Sequence, residues 1–408
     1  MTSGAPRRVI LHVGTPKTGT SFVQDILFRN RDELRALGVL YPAEREDAHF
    51  LAALDLMELP WGGLEDEAVG AWDRLAEQVR AWPGHTVIVS HEILGTASRT
   101  QVARALASLA KDSPGTEVHL VLSARDLVRQ VPAEWQENVK HRRVRTYGTF
   151  LEELRDPTRE SEVAQWFWGV QELPDVLDRW GSTLPPERVH VVTVPQPGAG
   201  PLVLWERFAA LFGLDAAAFP PSQRANVSLG VPESEMIRRL NERLNDVLES
   251  RMYRSLVREM VVHRHLSGRA GSPRLALPPD VYDWSADLSR AWVEELRSRG
   301  YSVVGDLDEL LPSPPRPFVD PDDCDEEQVA AAALDALQVM TLEAAKLRDV
   351  EVELHGVIAH RDGVIAELKS APGYRRKQRF LEFSENNVAA RSALGVYRRL
   401  RARNSRSA

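Results

Sequence analysis

A single cysteine, Cys324, in 408 residues excludes a disulfide framework and any cysteine-built metal site. Long apolar runs are also missing: none approaches the roughly 18 residues needed to span a bilayer. Behind Arg7 and Arg8 the apolar stretch is only Val9–Val13, broken by His12. That is too short for a signal-peptide core and reads as a buried strand. A cytoplasmic protein is therefore the expectation. Charge is not scarce but unevenly placed. Residues 374–408 hold ten basic and two acidic side chains, so a tail of +8 hangs on a remainder of −16 behind the net −8. Such a tail predicts an anionic partner, a membrane surface or a polysaccharide.

What is present in the first three hundred residues is an alternation of strand-like and helix-like patterns. Val9–Val13, Thr86–Ser90, Val118–Ser123, Arg188–Val194 and Tyr301–Val304 are short apolar runs. Helical spacing lies between them, over 22–37, 202–212, 232–262 and 286–299. Near-continuous apolar strands alternating with helices predict an α/β fold, a parallel sheet covered by helices. Residues 8–312 form the expected α/β domain, and 313–328 a Pro-rich, acidic linker. Residues 329–370 form a long amphipathic helix and 371–408 the basic tail. In that helix ten of twelve positions at alternating three/four spacing, from Val329 to Leu368, are apolar. This is the stripe of a self-associating coiled coil, or of a helix folded back on the body.

The segment richest in chemistry is Val9-Ile-Leu-His-Val-Gly14-Thr15-Pro16-Lys17-Thr18-Gly19-Thr20-Ser21. A strand enters a turn with two glycines five apart, and the turn opens a helix. Successive N–H groups of such a turn and the helix N-terminus converge on anionic oxygens. Thr18, Thr20 and Ser21 add hydroxyls. A nucleoside-triphosphate loop would place lysine after the second glycine. Here Thr20 stands there and the lysine is Lys17, inside the loop.

At these residues the chain resembles the sulfotransferases that use 3′-phosphoadenosine 5′-phosphosulfate, whose loop commonly reads Pro-Lys-Thr-Gly-Thr-Thr/Ser. The resemblance implies that Thr15 to Ser21 hold the 5′-phosphosulfate and that Lys17 reaches its bridging oxygen. It implies that Arg125, after the Val118–Ser123 strand, holds the 3′-phosphate. Ala133 stands where the family's serine is expected, so Arg129 or Gln130 is a candidate substitute. The Arg224-Ala-Asn226-Val-Ser228 loop resembles the segment closing over the adenosine end. The catalytic base is expected at the end of the Thr86–Ser90 strand, where His91 and Glu92 both stand, Glu92 being slightly favoured. No bound metal is expected.

The acceptor, a hydroxyl or amine for which an anionic molecule or a glycan is the candidate, has no sequence code. Its walls are expected from 41–64, 140–170 and 255–285. The basic run Lys140, His141, Arg142, Arg143 and Arg145 is either a solvated face or an anchor for an anionic acceptor. Two other functions fit parts of the pattern: a P-loop nucleotide kinase, and a non-catalytic nucleotide-binding scaffold.

Overall fold

A computed structural model describes residues 6–111, 115–221 and 228–387. Six strands form one parallel sheet: β1 (Arg7–His12), β2 (Val39–Leu40), β3 (Thr86–Ser90), β4 (Thr116–Ala124), β5 (Val189–Thr193) and β6 (Ser302–Val304). Their order is β2-β3-β1-β4-β5-β6. The strand cores are apolar on both faces because helices cover both, as a parallel sheet requires. On one face Ile10, Ile88, Val121 and Val192 meet Val23, Ile26 and Leu27 of the Thr20–Arg29 helix, and Trp205, Phe208 and Phe212 of the Val203–Phe212 helix. The helices Arg99–Ala110 and Leu173–Gly181 pack on β4 as well.

The order places β1 between β3 and β4, neither of which follows it directly in the chain. The ends of these three neighbours therefore bring together segments some 33 to 112 residues apart: the turn after His12, His91 and Glu92 after Ser90, and Arg125 after Ala124. In open parallel sheets the crevice outside the carboxyl ends, where the connections diverge, is where ligands bind.

Three local features differ from the sequence expectation. The 22–37 helix is two helices, Thr20–Arg29 and Arg31–Ala36. Between them the Asn30 side chain donates to the Ile26 carbonyl at 2.7 Å, a local bond that competes with helix continuation. The 232–262 stretch is interrupted too: Val231–Leu244 ends, and a second helical stretch begins at Ser250 and widens into π-helical turns over Arg254–His265. β2, two residues long, is an edge strand too short to leave a pattern.

The compact body runs through Ala336, past the expected boundary at 312. Asp322 accepts from the Tyr147 and Gly148 N–H groups, each at 2.7 Å, and so caps the Tyr147–Arg155 helix. The long helix begins at Glu326 and reaches Ser370. In its first turns Val329, Ala332 and Ala336 are buried, Glu326 pairs with Arg239 at 2.8 Å, and Asp335 pairs with Arg269 at 2.8 Å. The second unit, residues 337–408, contains the rest of that helix and the helix Pro372–Asn386. No helix among the described residues is long and apolar enough to cross a membrane.

A chain ending at Ala336 should therefore melt close to the full-length protein. One ending at 312 should lose several degrees, through the lost Asp322 cap and the buried Val329 and Ala332. Thermal denaturation of both truncations checks this, and equal melting would place the boundary back at 312.

Candidate functional site

The turn from Val13 to Gly19 is fixed to β4 by backbone bonds. Val13 N–H donates to Val121 O at 3.0 Å, Thr15 N–H to Ser123 O at 2.8 Å, and Ser123 N–H returns to Gly14 O at 2.6 Å. Gly14 has φ +114°, and a Cβ there would meet the Glu92 carbonyl oxygen at 3.0 Å; only glycine lets the turn lie this close to the end of β3. Lys17 also sits in the left-handed region, φ +62°, at a cost on the order of 1 kcal/mol or more for a residue with a Cβ.

Beneath the turn lies a buried polar layer. His12 Nδ1 is 2.8 Å from Ser90 Oγ and its Nε2 is 3.1 Å from Ser123 Oγ, so one imidazole joins the ends of β3, β1 and β4. Thr15 and Thr18 are spent here. Thr18 Oγ1 lies 2.5 Å from both Thr15 O and Ser123 Oγ, and Thr15 Oγ1 donates to Ser123 O at 3.3 Å. The expected outward hydroxyl of Thr18 is thus a structural bond. Pro16 offers its carbonyl to Gln130 and, at 3.3 Å, to Gln171. Thr20 is buried and Ser21 exposed. They open a helix without a side-chain cap; Phe22 N–H already donates to Gly19 O at 3.0 Å, so the N–H groups of Thr20 and Ser21 are the ones that precede the first intrahelical bond.

Lys17 faces acids. Its Nζ lies 2.5 Å from Glu137 Oε2 on the Leu127–Lys140 helix. Burial alone would raise the Glu137 pKa, but Lys17, the His141 hydrogen bond and Lys140 hold it well below the usual range. Glu134, one turn earlier, is 4% exposed and accepts from Gln171 at 2.7 Å. Burial, aided by the Glu137 charge, moves its pKa up against the pull of Lys17.

Glu92 and His91 point to different neighbours. Glu92 Oε2 accepts from Gln24 Nε2 of the first helix at 3.0 Å. Burial raises its pKa, yet His91, Gln24 and Lys17 together bring it below the ordinary value of 4.5. His91 instead lies against Phe50, ring centroids 5.1 Å apart, and its Nδ1 accepts from Ile93 N–H at 3.3 Å. That bond assigns the neutral ring's proton to Nε2. Phe50 continues to Trp61 and Trp166 at 5.6 and 5.8 Å. An aromatic wall from the 41–64 and 140–170 segments thus stands beside His91.

Arg125 donates from Nε to Gln130 Oε1 at 2.7 Å and from Nη2 to Arg129 O at 2.8 Å. It makes no ion pair with a carboxylate among the described residues. Burial, and the nearby Arg129 charge, lower its pKa to about 10. Arg129, a candidate substitute for the missing serine, is committed to Asp126 and to the Pro195 carbonyl at 2.9 Å. Gln130 is likewise spent, bridging Arg125 and the turn.

Arg125 and Ala133 line a cavity of about 330 Å³ with Ser228, Arg274, Tyr282 and Arg316. Arg274 donates to the Ser228 carbonyl. Arg224 and Asn226 lie outside the described residues. Sequence reading missed Arg274, Arg316, Gln24, Glu134, Glu137 and Gln171. Only Glu134 and Glu137, three apart beside Lys140, leave a pattern, and that pattern does not say what they face. The basic run after this helix is internally paired. Arg143 meets Glu162 at 2.6 Å, Arg145 meets Glu153 at 3.0 Å, and Arg142 donates to the Asn245 carbonyl at 2.9 Å.

Two fully enclosed imidazoles set a pH limit on the site. His12 and His49 are both lowered to about 4, chiefly by burial. His49 Nε2 donates to Pro42 O at 3.2 Å and its Nδ1 accepts from Ser90 N–H at 3.2 Å, which satisfies the neutral ring. Between pH 6.5 and 4 the unfolded chain binds these protons and the folded chain does not, so stability falls with acidification. Each histidine should account for roughly 3 kcal/mol across that window. The melting temperature should drop steeply below pH 6.5, and His49→Gln should remove one histidine's share of that dependence, His91, His119, His190 and His263 being lowered as well. A flat profile from pH 7 to 4.5 would refute this.

Compared with known proteins, the chain matches no family model, no curated protein and no solved structure.

Proposed function

We propose that the chain is a sulfotransferase that moves the sulfuryl group of 3′-phosphoadenosine 5′-phosphosulfate to a hydroxyl or amine. The observation that carries this reading is the meeting, at the carboxyl ends of adjacent strands β3, β1 and β4, of a glycine turn with an internal lysine, a carboxylate and an arginine that forms no ion pair among the described residues. Arg125 suits an anion, because a half-buried guanidinium that pairs with no carboxylate among the described residues gains from a bidentate phosphate. Arg274, Arg316 and the Ser228 segment line the same cavity and suit the adenosine 3′-phosphate end. The Thr20 and Ser21 N–H groups behind Gly19 suit the 5′ end.

In this reading Lys17 leaves Glu137 for the oxygen bridging phosphorus and sulfur, where negative charge grows as the S–O bond breaks. The acceptor heteroatom attacks sulfur in line from the opposite side. Its proton passes to Glu92, and the bisphosphate departs. Glu92 is the favoured base because its carboxylate belongs to the turn's own hydrogen-bond network through Gln24, whereas His91 carries its proton on Nε2 and faces Phe50. The expected soluble, metal-free transfer to an anionic or glycan acceptor remains part of the same proposal, with the aromatic wall as the acceptor's flank.

The donor assignment is tested by melting. The 3′,5′-bisphosphate should raise the melting temperature, by about 2.7 kcal/mol of stability at a hundred times its dissociation constant. ATP and AMP should raise it less, and Arg125→Ala should erase the difference. Equal shifts with ATP and the bisphosphate would favour the kinase reading.

The chemistry is tested by sulfate release from the donor, with water or a hydroxyl panel as acceptor. Lys17→Ala should cut turnover by about 10²–10³ while the bisphosphate still binds. Glu92→Gln should cut it by about 10²–10⁴. Because the Glu92 pKa is lowered, its ionised form persists on acidification, and the acid limb should lie below 4.5. A limb between 4.5 and 6.5 that survives Glu92→Gln would make His91, itself lowered by burial from 6.5, the base. Full activity in Glu92→Gln and His91→Ala would place the base elsewhere, full activity in Lys17→Ala would overturn the phosphosulfate reading of the turn, and binding without turnover in the wild type would leave a nucleotide scaffold.

A further inference from the structure

Beyond Ala336 the long helix keeps its three/four periodicity, with nothing among the described residues covering it. Positions 340, 343, 347, 350, 354, 357, 361 and 364 continue the stripe. Leu347, Val350, Leu354, Val357 and Val364 are all exposed, Leu347 by 59% and Leu354 by 55%. An exposed apolar seam of this length is an interaction surface. The two polar members, Glu343 and Arg361, identify its occupant.

We propose that the seam pairs with the same seam of a second copy of this chain, antiparallel, with Val352 at the centre of symmetry. In that register Met340 meets Val364′, Leu347 meets Val357′ and Val350 meets Leu354′, the prime marking the second copy. Glu343 falls opposite Arg361′, and Arg361 opposite Glu343′. Both exceptions to the apolar stripe are thereby matched by opposite charge in the two copies. A parallel, in-register pair would stack Glu343 on Glu343′ and Arg361 on Arg361′, two like-charge layers in the core. Polar groups at core positions are the usual means of fixing register and orientation.

The flanks agree. Antiparallel packing sets Leu337 beside Ile365′ and Ala344 beside Ile358′, widening the apolar seam with side chains that are otherwise exposed by 39–60% where Leu337, Ile358 and Ile365 are concerned. A parallel pair would face Ile358 with Glu353′ and Ile365 with His360′. Its one gain, Lys346 opposite Glu351′, does not offset two repulsive core layers. At the antiparallel centre Glu351 lies near its own copy, and its charge is met by Arg348 of the same helix at 2.7 Å. Gly356 and Gly363 each stand two residues after a core position. They face away from the seam and leave no gap in it.

The test uses the full chain. Sedimentation at micromolar concentration should give a dimer, and a monomer would overturn the proposal. Arg361→Glu should weaken the dimer at least tenfold, and adding Glu343→Arg to it should restore the affinity. No change in the single variant would also overturn it. Orientation is read in a Cys324→Ser background. Met340→Cys with Val364→Cys should cross-link two chains on mild oxidation. Met340→Cys alone should not, because antiparallel copies of residue 340 lie about 36 Å apart at 1.5 Å per residue. Efficient cross-linking by Met340→Cys alone would mean a parallel pair and sink the assignment.

Discussion

The reciprocal backbone bonds between Gly14, Thr15 and Ser123 are the constraint on which the rest of the site depends. They prolong the β1–β4 ladder beyond the last paired strand residues, so the turn is held as part of the sheet edge and not as a free loop. The close approach of Gly14 to Glu92 wedges the same turn against the end of β3. His12, shared between Ser90 and Ser123, then bonds the three strand ends together from below. Residues far apart in sequence thus acquire fixed relative positions without any ligand, the preorganisation that a reacting site needs.

The charges around this frame are distributed unequally. Lys17 sits among Glu92, Glu134 and Glu137, and Arg129 is matched by Asp126. Arg125, one residue from that pair, has only neutral acceptors. Burying a cation without a counter-ion costs free energy, and its lowered pKa is the sign of that cost. A protein selected for stability alone would place a carboxylate beside it. Asp126 and Glu134 act on it only from a distance, and no carboxylate among the described residues pairs with it; this is the electrostatic argument for an anion arriving from outside, and it agrees with the two further arginines on the cavity wall.

Much of the fold was legible because its signals are local. Five of six strands are apolar runs between turn residues, and the glycine turn announces itself by spacing and by the helix behind it. What was missed depends on where the chain goes over long distances. Arg274 and Arg316 have no distinguishing neighbours, and they reach the cavity only because 272–277 and 313–316 return to the helix carrying Ala133. The Pro-rich 313–316 stretch has a linker's composition, yet Ser313, Pro314, Pro315 and Arg316 line that cavity. The stripe from Val329 to Leu368 has one period throughout but two environments, buried in the body through Ala336 and exposed beyond. Periodicity reports that a face is apolar, not what covers it.

Gln130 shows how the two ends of the site are coupled. Its amide nitrogen donates to Pro16 in the turn, and its amide oxygen accepts from Arg125. A glutamine side chain has one carbonyl and one NH₂, so both ends are committed and neither bond can lengthen without moving the other. An anion that draws the Arg125 guanidinium toward the cavity therefore also pulls on the Pro16 carbonyl, next to Lys17. Glu137 meanwhile holds Lys17 from the same helix that carries Gln130, two turns away. In the proposed reaction, recognition of the adenosine 3′-phosphate and release of Lys17 for the bridging oxygen are thus connected through one helix. Binding energy from the end of the donor that does not react can in this way position the group that stabilises the transition state.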